Sequence, residues 1–131
     1  MSNSNFNGRM EDISEQTKPA ESVHRLLSAF NTTNATVAKN APCVLDSIDL
    51  WNAGTVTYLK LYDKATAPAE TDTPVLTIYL AASLTRNIQF PKGLKFAAGL
   101  AYRMTTAGAD NSTAAVAAAA VLAMNMAYRA L

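Results

Sequence analysis

The stretch TVTYLKLYDKATAPAETDTPVLTIYL (55–80), continued by TRNIQFPKGLKFAAGLAY (85–102), decides the reading of this chain. Side chains of a strand alternate between two faces, so an apolar period of two marks β structure. From Thr55 to Tyr62 the alternation sets Val56, Tyr58 and Tyr62 on one face and Leu59 and Leu61 on the other. A strand apolar on both faces lies in the middle of a sheet or beneath a partner chain. A loop rich in Ala, Thr, Pro and acidic groups spans 63–74, and Leu76, Ile78 and Leu80 then point inward from a second strand. Ile88 and Phe90 form a short third strand that ends at Pro91, and Lys92-Gly93 turns the chain. Phe96 to Thr105 makes a fourth, with Ala98, Leu100, Tyr102 and Met104 on one face. Gly99 within it marks a bulge or the close approach of another backbone.

The same texture extends outward. Val44, Ile48 and Leu50 share one face of a strand over 44–51, between a turn at Pro42 and another at Asn52-Ala53-Gly54. Thr36 and Val37 begin a short strand. SVHRLLSAF (22–30) fits two periods: Val23, Leu26, Leu27 and Phe30 have helical spacing, and a first strand is equally open. TAAVAAAAVLAMNMAYRAL (113–131) has the highest helix propensity in the chain, yet Leu122, Met124, Met126 and Tyr128 alternate with Ala123, Asn125, Ala127 and Arg129. We read 107–120 as loop and 121–129 as strand, with a helix as the alternative. Short strands with turn signals about every ten residues predict an all-β fold, an antiparallel β-sandwich over 22–131.

A chain of 131 residues is one domain, long enough to bury a core without staples. Charged residues are only 16% of it, below the usual quarter, and Ala, Thr and Asn take their place. Such a surface suits a protein packed against neighbours, or a small Ala-rich soluble domain. The net charge of +1, with no basic stripe interleaved with aromatics, argues against a nucleic-acid partner. No apolar run approaches the roughly 20 residues of a membrane helix, so no membrane role is expected. The N-terminus has no apolar stretch of the secretory kind.

Residues 1–21 read as a flexible arm: Met1 to Lys18 is polar, rich in Asn and Ser and without periodicity, and Pro19-Ala20-Glu21 closes it. Phe6, Met10 and Ile13 are its only sizeable apolar residues, which makes them the expected anchors on a partner.

Catalytic chemistry finds few candidates. His24 is the only histidine, and nothing resembles the Gly-x-Ser-x-Gly elbow of a serine hydrolase. Cys43 is the only cysteine, has no adjacent base and reads as buried filler. Glu70 with Asp72, or Asp110 with Asn111, lacks the ligand pattern of a calcium loop. We therefore expect a non-enzyme with no cofactor and no metal. Tyr58, Tyr62 and Tyr102 are the expected contacts between copies. With Tyr79 and Trp51 they are also the residues from which a sugar-binding platform would be built.

Taken together, LLSAFNTTNATVAKNAP (26–42), YLKLYDKATAP (58–68), DTPVLTIYL (72–80), FPKGLKFAAGLAYRMTTAGADNSTAAVAA (90–118) and NMAYR (125–129) resemble a family of small virion proteins of tailed bacteriophages. The resemblance implies a jelly-roll-like sandwich and a first strand rather than a helix over 22–30. It implies a non-enzymatic capsid cement or decoration protein on the capsid surface, bound to the major capsid protein and assembled as a homotrimer. A receptor- or glycan-binding module of a tail, fibre or spike is the alternative. Family members often carry Asn-Asp where this chain has Ala119-Ala120, which leaves the loop before the last strand without its usual cap.

Overall fold

The computed structural model describes residues 22–131, and its regular elements are all strands. They are β1 (Ser22–Leu27), β2 (Thr36–Lys39), β3 (Cys43–Asn52), β4 (Thr57–Asp63), β5 (Leu76–Leu80), β6 (Leu84–Phe96), β7 (Leu100–Thr105) and β8 (Val121–Ala130). Two four-stranded antiparallel sheets result, ordered β1-β8-β3-β6 and β2-β7-β4-β5. The pairings β1·β8, β2·β7, β3·β6 and β4·β5 are those of one long hairpin folded at the β4–β5 loop. Rolling that hairpin adds β8·β3 and β7·β4 side by side, which makes an eight-stranded jelly roll.

The core lies between the sheets. The first sheet sends in Leu45, Ile48, Leu50, Met124 and Met126, and the second sends in Leu59, Leu61, Ile78, Leu80, Leu100 and Met104. Cys43 is buried among them, and that burial pushes its thiol up. β4 is a central strand, as its two apolar faces require, with β7 on one side and β5 on the other.

Three expectations need correction. A bulge at Asp46 shifts the phase of β3, so Leu45 rather than Val44 joins Ile48 and Leu50 in the core. The strand over 88–90 does not stop at Pro91. β6 runs through it to Phe96, because an edge strand has one side free of ladder bonds and tolerates proline. Ala98 lies outside β7, exposed in the bend before it. The segment 22–27 is a strand, with His24 and Leu26 turned inward and Val23 and Leu27 outward.

The sequence stretches quoted above meet in space. Asp63, at the end of β4, accepts hydrogen bonds from the backbone N–H of Ala98 (2.7 Å), Ala97 (3.2 Å) and Gly99 (3.4 Å). The Ala98 bond chiefly holds the Asp63 carboxyl below its usual range. Lys64 pairs with Asp72 at 2.6 Å, and Asp72 also accepts the Ala69 N–H, which closes the β4–β5 loop. Leu-Tyr-Asp-Lys-Ala, Asp-Thr-Pro and Gly-Leu-Ala-Tyr are thus corner fasteners of the sandwich.

Ala119 precedes β8 with φ of 61°, in the left-handed region. That conformation costs a residue with a Cβ about 1–2 kcal/mol, and Asn tolerates it better. Ala119 is exposed, so a larger side chain meets no obstruction. Ala119→Asn should raise the unfolding free energy by about 0.5–1 kcal/mol. Urea denaturation checks this, and a midpoint at or below that of the unmodified chain would refute it.

Candidate interaction surfaces

The two outer faces of the sandwich are finished differently. On the second sheet, register sets Tyr58, Lys60 and Tyr62 of β4 beside Thr105, Arg103 and Ala101 of β7. The first part of the β7–β8 connection, 106–112, lies across this face. Arg103 donates from Nη1 to Ser112 O (2.7 Å), from Nη2 to Asp110 O (2.8 Å) and from Nε to the Tyr62 hydroxyl (3.2 Å). Its guanidinium also stands 6.0 Å over the Tyr62 ring. Lys60 donates from Nζ to Ala109 O. Both cations are buried, Lys60 at 0% exposure and Arg103 at 2%, and carbonyl oxygens of the loop are their acceptors. Burial is the main force holding the Lys60 ammonium below its usual pKa; the neighbouring Arg103 adds to it and Asp110 opposes it. The arrangement covers the β4–β7 centre of the sheet with the chain's own loop, while Thr77 and Tyr79 of β5 stay exposed.

This seal relocates two of the expected contacts between copies. Tyr62 lies under the loop, and Tyr102 lies in the core, where its hydroxyl shares a 2.9 Å hydrogen bond with His24 Nε2. Both are buried within the chain itself. Tyr58 is half-buried beside Gly108 and meets the exposed Tyr79 edge to face, with ring centroids 5.6 Å apart. Trp51 is on the outer face of the other sheet, so the five aromatics do not assemble into one sugar platform. Phe6, Met10 and Ile13 lie outside the described residues.

Among the described residues nothing covers the outer face of the first sheet. Register builds three rows across β1, β8, β3 and β6: Leu27–Ala123–Trp51–Thr85, Arg25–Asn125–Asp49–Asn87 and Val23–Ala127–Ser47–Gln89. Val23, Leu27 and Trp51 are 61%, 66% and 50% exposed. Central β8 presents Ala123, Asn125 and Ala127, a low floor between taller flanks, with Arg129 at its far end. An Arg129–Asp46 ion pair at 3.2 Å borders the face. Sequence reasoning missed Val23 and Leu27, because SVHRLLSAF satisfies helical and strand periods together.

A groove of about 410 Å³ opens where the edges of β5 and β6 part, lined by Leu76, Ile78, Ile88 and Phe90, with Arg86 bonded to Tyr79 O at 3.0 Å. Among the described residues no group of three or more His, Cys, Asp or Glu could hold a metal ion, and no helix is long and apolar enough to cross a membrane. His24 is half-buried, and burial lowers its pKa.

No protein-family model, no curated protein and no solved structure matches the chain.

Proposed function

We propose that this protein is a structural part of a tailed-bacteriophage virion, a capsid cement or decoration protein that binds the major capsid protein as a homo-oligomer. The single observation that carries the reading is the contrast between the faces: the chain's own loop covers the β4–β7 centre of one sheet, and the other keeps Val23, Leu27 and Trp51 exposed around an uncovered centre. Large apolar side chains left exposed together on one face mark a place where something docks. The aromatics stand on different faces, which favours a bridging protein over a glycan reader. The work is mechanical. The sandwich spans between subunits, and the arm grips the shell through Phe6, Met10 and Ile13. Added interface opposes the pressure inside the shell, and no bond is made or broken.

The eight strands all lie within the described residues 22–131, and residues 1–18 span up to roughly 60 Å when extended. Deleting them should leave the β circular-dichroism spectrum unchanged and weaken binding to capsids about tenfold, the worth of one buried apolar anchor. Co-sedimentation with capsids stripped of the native copy is the test. Undiminished binding would show the arm to be idle, and loss of the β spectrum would place it in the core.

A further inference from the structure

The bare face of the β1-β8-β3-β6 sheet is complementary to itself, and we propose that it pairs with the same face of a second copy about a twofold axis running along β8. Such an axis keeps each row level and exchanges its two flanks. β8 then lies over the partner's β8, and β1 lies over the partner's β3. Within the polar row, Arg25 on β1 and Asp49 on β3 flank Asn125, so Arg25 of each copy meets Asp49 of the other twice over. In the next row Leu27 meets Trp51 and Ala123 meets Ala123. In the third, Val23 meets Ser47 and Ala127 meets Ala127.

Charge in the polar row selects this axis; at the far end of β8 Arg129 meets Arg129, each already paired with its own Asp46. The other twofold in the same plane, at right angles to the strands, would set Arg25 against Arg25 and Asp49 against Asp49, and like charges facing each other are unfavourable. The small side chains of β8 let the two backbones come close at the centre. Sheets packed face to face lie about 10 Å apart with strands about 30° from parallel, which the twist of each sheet imposes.

The area is that of a weak pair. β3 and β8 are ten residues long and β1 six, and the axis overlaps these three strands while β6 of each copy stays outside. At about 3.3 Å per residue and about 4.8 Å per strand, the overlap measures at most roughly 33 by 14 Å. Two copies would bury at most about 950 Å², the size of weak or transient interfaces. The inference deepens the proposed function, because a pair carries two arms and can bridge two shell subunits. It is decided on the purified chain without capsids, so its failure and that of the shell-binding reading are distinguishable.

The test is the mass in solution together with substitutions on the two outer faces. At about 100 μM, where even weak interfaces associate, equilibrium sedimentation should give twice the 13.9 kDa of one chain. Asn125→Cys sits on the axis and should link two copies under mild oxidation. The unmodified chain, whose Cys43 is buried, and Thr77→Cys on the other sheet should stay unlinked. Arg25→Glu should weaken pairing at least tenfold, about 1.4 kcal/mol, and Arg25→Glu with Asp49→Arg should restore it. Deleting residues 1–21 should leave the pair intact. A monomer or a trimer would overturn the proposal. So would Asn125→Cys that folds but does not link, a charge swap without effect, or a pair lost with the arm.

Discussion

Arg103→Met should lower the unfolding free energy by about 3 kcal/mol and the melting temperature by about 10 °C. The side chain is 2% exposed and serves Ser112 O, Asp110 O and the Tyr62 hydroxyl together. Methionine fills much of the volume but donates nothing, so two loop carbonyls and a phenol lose their donor in a buried place. Each unsatisfied buried group costs about 1–3 kcal/mol, and relaxation of the loop toward water recovers part of it. Lysine is no remedy, since it lacks the planar fork that reaches three acceptors. Lys60→Met should cost less, because Lys60 serves only Ala109 O and its charge is already disfavoured by burial. Hydrogen exchange should quicken across 106–114 in the Arg103 variant before the rest of the sheet responds. An unchanged melting temperature would show that the loop stays seated by packing alone.

Gly99→Ala should cost about 3 kcal/mol, the upper end for overpacking. A Cβ there would stand 2.6 Å from Lys39 O and 2.8 Å from Lys64 O, backbone atoms at the end of β2 and just after β4. Neither can withdraw alone. Lys64 donates its N–H to Gly99 O at 3.0 Å, and the carboxylate of Asp63 holds the bend on the other side. Gly108→Ala is the comparison. Its Cβ would meet the Tyr58 ring at 3.2 Å, and a half-buried ring can swing aside. Urea midpoints of the two variants separate the cases. Equal midpoints would mean that the β6–β7 corner yields more readily than its packing implies.

Much of the fold was legible in the sequence because its signals are local. Period-two alternation in 76–80 and 100–105, and the turn at Asn52-Ala53-Gly54, needed no knowledge of distant partners. Gly99 was readable as a close approach for the same reason. At 121–130, strand pairing with β1 and β3 outweighs the helix propensity of alanine, which amounts to only tenths of a kcal/mol per residue. Non-local features escaped. Alternation set Tyr62 away from Leu59 and Leu61, but nothing near Tyr62 reveals that a loop some 45 residues onward covers it. Lys60 and Arg103 are unremarkable in sequence, and only the β4·β7 register makes them neighbours under that loop. The bulge at Asp46 likewise depends on β6, whose residues 90–93 lie opposite it unpaired. The bare face depends on β1, and a segment that fits two periods does not declare which side chains will face outward.

The central claim is that this sandwich reinforces a shell. Filled particles with and without the protein should be heated while DNA release is followed by dye fluorescence. Particles carrying the protein should retain their DNA to a higher temperature, and adding purified protein to particles lacking it should restore that temperature. Release at the same temperature in all three samples would contradict the account.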